Sequence, residues 1–174
     1  CAWTRTPETV VDSRLIALLD FGRSPPLAAG TPGNTIDFAR TGDFVYVGRD
    51  EHGRGLFLKP KNRRHASAIP RTAGALQPFF SPNGEWIGHV VGGVLRKIHL
   101  SGTPVEDIVR IGRELTGASW GDDDTIVFAT PAGLHRVPAS GGDVETIVLA
   151  DTARGESFRW PHMLPGSRAA LVTR

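Results

Sequence analysis

Two groups of residues in this chain could bind a metal ion, an acidic run and a set of histidines. The acidic run is residues 122–124, three consecutive aspartates, and carboxylate oxygens are the ligands that hard cations prefer. Its spacing matches no calcium-binding loop, which favours a turn. The histidines show no His-Glu-x-x-His spacing, which favours solvated or packed side chains. They are His52, His65, His89, His99, His135 and His162. We therefore predict no metal site and no cofactor.

The strongest basic segment is residues 59–65, Lys-Pro-Lys-Asn-Arg-Arg-His. A surface for single-stranded nucleic acid would carry aromatic side chains among the basic ones, and this segment has none. The formal net charge of the whole chain is only +2, too balanced to indicate a nucleic-acid surface by itself. We predict an exposed loop and no nucleic-acid partner. Contact with anionic lipid headgroups is the alternative.

Nucleophilic catalysis has no support in the sequence. No Gly-x-Ser-x-Gly motif is present. Ser157 and His162 have no local relationship that would make them a nucleophile and a base. We predict no catalytic residue in this chain, and hence that this segment is not itself an enzyme.

A polar and aromatic cluster is the best candidate for partner binding. It consists of Arg159, Trp160 and His162, and arginine and tryptophan are enriched at binding hot spots. This cluster leads into the fourth unit of a sequence repeat. We interpret Gln77 and Ser119 as occupying the equivalent entry positions of the second and third units. The competing interpretation is that Trp160 packs beneath its sheet.

The repeat that positions these residues is marked by four large apolar anchors, each followed by a turn. The anchors are spaced by 42, 40 and 43 residues, and they are Phe38, Phe80, Trp120 and Met163. A period in the low forties with strand character is typical of propeller blades. Apolar runs follow each turn at a constant offset, and a further column holds Ile69, Ile108 and Ile147. We therefore predict that each unit folds as a four-stranded meander, one blade of the propeller.

The predicted fold is an all-β, partial β-propeller of four-stranded antiparallel blades, an open arc of about three and a half blades. We expect a linker over residues 1–12 and the propeller over residues 13–174. The units are roughly residues 35–74, 75–115, 116–157 and an incomplete 158–174. Two segments stay ambiguous between helix and strand by their apolar spacing, residues 6–21 and 103–115. Closed propellers have typically four to eight blades, so we expect the rest of the ring in missing sequence rather than in another chain.

Composition agrees with many short strands, since the chain has 21 glycines and 13 prolines. Cys1 is the one cysteine, which excludes an intramolecular disulfide and a cysteine-based metal site. No apolar stretch approaches the length that spans a bilayer. The chain begins with Cys1 rather than methionine, which indicates a fragment or a processed product. A mature lipoprotein is the alternative.

Several of these segments carry a family resemblance. Residues 78–87, Pro-Phe-Phe-Ser-Pro-Asn-Gly-Glu-Trp-Ile, resemble the strand-turn-strand signature of TolB-like, WD40-like propeller repeats. Residues 117–128 and 158–165 resemble consecutive blades of one subgroup, the propeller fused C-terminally to bacterial receptor serine/threonine kinases. The resemblance covers residues 31–174. Departures occur where Asp124 and Ser167 replace the turn glycine, and aspartate can hold such a turn by local side-chain hydrogen bonds.

The resemblance implies a cytoplasmic kinase domain, a membrane helix and then this propeller outside the cytoplasm. Residues 3–7 would be the juxtamembrane linker and residues 14–21 the first strand. This chain has no Gly-rich phosphate loop, no His-Arg-Asp and no Asp-Phe-Gly. Any kinase activity would therefore belong to residues outside it, and contact with the membrane would come only through a missing N-terminal segment.

The resulting functional prediction is a non-catalytic sensor segment that binds a protein or a small ligand. One alternative is the gating propeller of a prolyl-oligopeptidase-like hydrolase, and another is a free-standing periplasmic TolB-like adaptor. The flanking reading frame distinguishes them. A downstream Gly-x-Ser-x-Gly motif favours the hydrolase, an upstream kinase domain and membrane helix favour the receptor, and a signal peptide without either enzyme domain favours the adaptor.

Overall fold

The computed structural model describes residues 24–28, 35–112 and 114–174. The expected linker over residues 1–12 and the expected strand over residues 14–21 lie outside this part of the chain. Within it, the secondary structure is fourteen β-strands and one short 3-10 helix, Thr152–Arg154. The predicted all-β class is confirmed.

The strands form four antiparallel sheets, each made of strands that are consecutive in the chain. The first blade contains β1 (Ile36–Phe38), β2 (Phe44–Asp50), β3 (Gly53–Lys59) and β4 (Ser67–Ala68). The second contains β5 (Leu76–Phe80), β6 (Trp86–Val91), β7 (Val94–His99) and β8 (Val105–Arg110). The third contains β9 (Gly117–Trp120), β10 (Thr125–Thr130), β11 (Gly133–Pro138) and β12 (Glu145–Leu149). The fourth has two strands, β13 (Arg159–Met163) and β14 (Ala170–Thr173).

The ambiguous segment 103–115 is a strand at its centre. β8 pairs with β7 as the outermost strand of the second blade. Ile108 is only 7% exposed and packs in the core between the second and third blades. The apolar residue Ile108 is therefore explained by a buried position in an outer strand and not by the apolar face of a helix.

The first strand of each blade lies at the centre of the arc. β1 contacts β5, β5 contacts β9, and β9 contacts β13. Between the sheets lie apolar cores that join neighbouring blades. The predicted partial propeller of about three and a half blades is therefore confirmed.

The anchor residues fill these interblade cores where a neighbouring blade is present. Phe80 packs with residues of the first blade, and Trp120 packs with residues of the second. Both are more than nine-tenths buried, whereas Phe38 in the first blade is 45% exposed. The same repeat position is therefore buried or exposed according to what lies beside it.

The four turns that follow the anchors share one backbone conformation. The residue that ends each turn has a positive φ, at Gly42 (91°), Gly84 (74°), Asp124 (58°) and Ser167 (55°). Glycine adopts this region without a steric cost. Asp124 also accepts a hydrogen bond from Trp120 Nε1 at 3.2 Å. Residues 122–124 thus belong to a turn, as predicted.

The basic segment 59–65 also agrees with its prediction from residue 61 onward, where it is exposed. Lys59 differs, since its side chain is buried and Nζ donates to the carbonyl oxygen of Pro60 at 3.3 Å. A second bond from the same ammonium group goes to the carbonyl oxygen of Arg63. Lys59 therefore holds its own loop rather than presenting its charge to a partner.

Candidate functional site

A cavity of about 480 Å³ opens where the inner strands of all four blades converge. Its walls come from β1, β5, β9 and β13 and from the turns that follow them. The side chains that matter most for its chemistry are Asp37, Phe38, Ser119, Trp120, Trp160 and His162. Its volume is within the range of small-molecule sites.

The cavity brings together three of the five predicted site residues. Ser119, Trp160 and His162 line it. Gln77 does not, because its side chain is buried and Nε2 donates to the carbonyl oxygen of Leu115 at 2.6 Å. Arg159 is exposed on β13 and lies opposite Thr173 of β14, outside the cavity wall.

The expected equivalence of Gln77 and Ser119 is wrong. Counting back from the anchors, Gln77 corresponds to Gly117 and Trp160, and all three have positive φ, at 51°, 147° and 49°. Ser119 instead corresponds to His162, directly before the anchor. β-Bulges in β5 and β13, between Leu76 and Phe79 and between Arg159 and His162, shift this part of the strand register.

Trp160 is the least expected residue at this position. A bulky side chain with positive φ is a genuine outlier, and the equivalent residue in the third blade is glycine. A Cβ on Gly117 would lie 2.8 Å from the Cα of Trp160, so these two backbones are in close contact. Trp160 is 54% exposed. The interpretation that it packs beneath its sheet is therefore wrong.

Side chains directly before the anchors bond the inner strands to one another. Asp37 Oδ2 accepts a hydrogen bond from the backbone N–H of Phe80 at 2.7 Å. Ser119 Oγ accepts one from the N–H of Met163 at 3.0 Å. Each bond joins a blade to the next and occupies an acceptor on the cavity wall.

The second and third blades use an aromatic contact at this level instead. Phe79 stands at the position of Asp37 and Ser119, and a phenyl ring accepts no hydrogen bond from an N–H as a carboxylate or hydroxyl does. Its ring meets Trp120 edge-on, with centroids 6.4 Å apart. Along the cavity wall, the contacts between neighbouring blades thus alternate between a hydrogen bond and an aromatic contact.

Asp37 was not identified from the sequence, although one signal could have found it. It immediately precedes the anchor Phe38, as Ser119 and His162 precede theirs. Burial removes water from its carboxyl group and raises its pKa above the usual value, while hydrogen bonds from the Phe80 and Phe38 N–H groups and the charge of His162 act in the opposite direction. The electrostatic effect of His162 links the first and fourth blades.

The rim of the cavity carries an ion pair between blades. Arg40 Nη2 lies 2.8 Å from Asp122 Oδ1. The other carboxylate oxygen of Asp122 accepts a hydrogen bond from the N–H of Gly166 at 2.8 Å. The pKa of Asp122 is lowered by the Gly166 N–H first and then by Arg40.

The histidines are dispersed over the described blades. In this part of the chain no three His, Cys, Asp or Glu side chains come close enough together to hold one metal ion. His89 is fully buried in β6, and neither ring nitrogen makes a hydrogen bond of normal geometry, although the Ile87 backbone lies close enough to raise the pKa slightly against the effect of burial. Burial lowers the pKa of His89 to about 4, which keeps the ring neutral.

No protein-family model and no curated protein sequence matches this chain. Solved structures do match it. TolB from Acinetobacter baumannii is 15% identical with a TM-score of 0.66, over 83% of this chain and 38% of that one. A putative TolB from Agrobacterium tumefaciens is 18% identical with a TM-score of 0.58, over 71% and 51%. Oligogalacturonate lyase from Vibrio parahaemolyticus is 15% identical with a TM-score of 0.58, over 78% and 43%.

These comparisons show the fold. The chain is similar to part of a TolB-like β-propeller, and it spans about half or less of the length of these three proteins. The resemblance to TolB-like repeats is confirmed at the level of the fold. Over residues 24–28, 35–112 and 114–174, no helix has the length and hydrophobicity that a bilayer crossing needs.

Proposed function

We propose that this chain is a non-catalytic binding segment that recognises a protein or a small ligand in the cavity at the centre of the arc. The observation that carries the proposal is Trp160, which lines the cavity and is 54% exposed with a φ of 49°. Propellers are scaffolds on which function resides in particular sites.

Gln77 holds the same repeat position as Trp160 with a φ of 51°, but its side chain is buried and bonded to the Leu115 carbonyl group, whereas Trp160 is exposed. Strained φ values in non-glycine residues cost about 1–3 kcal/mol and cluster at ligand-binding sites. Gly117 shows that glycine fits the same position in the third blade. Tryptophan is enriched at binding hot spots, and the exposed indole of Trp160 is available for contact with a partner.

The finer proposal is a sensor segment of an extracytoplasmic receptor with a serine/threonine kinase domain. Its support is the resemblance of residues 117–128 and 158–165 to the propellers of such kinases. A binding cavity at the centre of the arc suits a sensor, because a ligand there contacts several blades at once. Catalysis would then belong to another domain.

Site-specific photo-crosslinking in cells tests the binding role. A benzophenone amino acid replaces Trp160 in the full-length protein, and the matched control replaces Leu149, which is 73% exposed on β12 and lies outside the cavity. We expect a discrete adduct from position 160 that is absent from position 149. Identical adducts from both positions, or none from position 160, would contradict the proposal.

The likeness to two TolB structures favours a second candidate, a periplasmic adaptor. Cell fractionation separates the two. A receptor segment stays with the membrane after a high-salt wash and is protected from protease added to the cytoplasmic side. An adaptor is released with the soluble periplasmic fraction. A cytoplasmic location would exclude both.

A further inference from the structure

The cavity contains a carboxylate, Asp37, with no lysine or arginine beside it, although His162 acts on it electrostatically. Asp37 is half-buried on β1, and within the described ranges no lysine or arginine side chain lies within ion-pairing distance of it. The carboxylate accepts hydrogen bonds from the Phe80 N–H, at 2.7 Å, and from the Phe38 N–H. A carboxylate offers about four lone-pair sites, so these two bonds leave further acceptor capacity. Burying an unpaired charge costs free energy unless a counter-charge arrives.

Aromatic rings share the cavity with this carboxylate. Trp160 is 54% exposed and lines the cavity. It belongs to the fourth blade, whereas Asp37 lines the cavity from the first. Tryptophan is the best aromatic partner for a cation, which is attracted to the negative face of the ring. An exposed indole ring and a carboxylate without a lysine or arginine partner in the same cavity are the two components of a cation site.

We propose that the cavity recognises a basic side chain of a partner peptide, arginine foremost, with Asp37 as the anionic group and the exposed ring of Trp160 as the stacking surface. This deepens the binding role proposed above and rests on it. Arginine is favoured over lysine because its planar guanidinium stacks on aromatic faces and matches the geometry of a carboxylate.

One arginine at the rim of the cavity acts against a cation, and an ion pair limits its effect. Arg40 is held at the rim by Asp122, with 2.8 Å between Nη2 and Oδ1. That ion pair offsets much of its charge. His162 also lines the cavity, so all peptides and variants are compared at one fixed pH.

The test uses three blocked tripeptides with glycine on either side of arginine, lysine or citrulline. Citrulline has the shape of arginine without its charge. Binding is followed by calorimetry and by the indole N–H resonance of Trp160. We expect the arginine peptide to bind roughly tenfold or more tightly than the citrulline peptide, with lysine between them.

Two variants and one control assign the effect to the cavity. Asp37→Asn keeps an oxygen to accept the Phe80 N–H but removes the charge, and we expect it to abolish the preference for arginine over citrulline. Trp160→Gly suits the local φ, and we expect it to weaken all three peptides. Leu149→Ala lies outside the cavity and leaves binding unchanged. Urea unfolding of each variant shows that the fold is retained.

Equal affinity for arginine and citrulline peptides overturns this inference, as does full retention of the arginine preference in Asp37→Asn. Absence of binding by all three peptides overturns it too. If the crosslink from position 160 persists in that case, the binding role stands and the ligand has a different chemistry. If the crosslink is also absent, both proposals fail.

Discussion

Arg40 and Asp122 connect the first blade directly to the third, with 2.8 Å between Nη2 and Oδ1. Asp122 Oδ2 also accepts the N–H of Gly166 in the turn of the fourth blade. One exposed carboxylate therefore joins the turns of three blades at the rim of the central cavity. The arc is held together at this end by polar contacts rather than by apolar packing alone.

Removing Asp122 should destabilise the protein more than removing Arg40. Asp122→Ala loses both the ion pair and the Gly166 bond, whereas Arg40→Ala loses only the ion pair. Melting temperatures of the two variants at about 0.05 M and 0.5 M salt check this, since salt screens exposed charges. We expect the effect of Arg40→Ala to shrink at high salt. Equal losses in the two variants would contradict the shared role of Asp122.

Glycine should be better tolerated than alanine at position 160. The φ of 49° is accessible to glycine without a Cβ clash, whereas alanine keeps the steric cost and loses the indole contacts. We expect Trp160→Gly to be more stable than Trp160→Ala by about 1 kcal/mol. Urea unfolding measures the difference. A more stable alanine variant would mean that the backbone at this position relaxes.

Protonation of His89 should weaken the fold in acid. Its folded pKa is about 4 against about 6.5 when unfolded. Between these values the unfolded chain binds the proton and the folded chain does not, so stability is complete above about pH 6.5 and falls as the pH is lowered towards 4. The loss over this window is on the order of 3 kcal/mol.

The pH prediction has a direct control in His89→Leu, which places an apolar side chain at this buried position of β6. Arg96 and Asp107 act on His89 in opposite directions, and burial lowers the pKa of His135 as well. The variant isolates the contribution of His89 from these groups. Urea midpoints from pH 7 to 4.5 should fall less steeply in the variant than in the native protein. Parallel curves would show that His89 is not the group responsible.

A methyl group at Gly88 should conflict with Phe79. A Cβ built on Gly88 lies 2.2 Å from the Phe79 ring, and overpacking in a core costs about 1–3 kcal/mol. Gly88→Ala should therefore unfold at a lower urea concentration. In the double variant with Phe79→Leu, which removes the ring, we expect the added cost of Gly88→Ala to be smaller. Strict additivity of the two changes would contradict the contact.

Equivalent isoleucines in successive blades should differ in their contribution to stability. Ile108 is 7% exposed between two blades, and Ile147, at the same repeat position, is 44% exposed beside the two-stranded fourth blade. We expect Ile108→Ala to cost about 2–4 kcal/mol and Ile147→Ala to cost under about 1 kcal/mol. Urea unfolding of both variants makes the comparison. Similar losses would mean that Ile147 is covered in solution.

The fold was predictable because its signal is repeated. Anchors, turns and apolar columns recur at one period, so each blade supports the assignment of the others. Asp124 and Ser167 depart from the turn pattern without breaking it, since both adopt positive φ. A single repeat of this length would have left the segment 103–115 undecided between helix and strand.

The site was less predictable, because it depends on contacts between repeats. Trp160 and His162 were found by their residue types and their place before an anchor. Gln77 shares the register of Trp160 yet turns its amide to the Leu115 carbonyl group. Asp37 was missed because its place directly before the anchor Phe38, although shared with Ser119 and His162, does not by itself show that the side chain lines a cavity.

The sequence alone determined the repeat, the meander of each blade and the positions of the turns, because these depend on local spacing and on residues near one another in the chain. Only the tertiary structure decided which members of each column face the cavity. Asp37 and His162 lie 125 positions apart in the sequence, and the curvature of stacked sheets brings them to one cavity. Residue type fixes what a side chain can do, but packing between blades fixes which side chains remain free to do it.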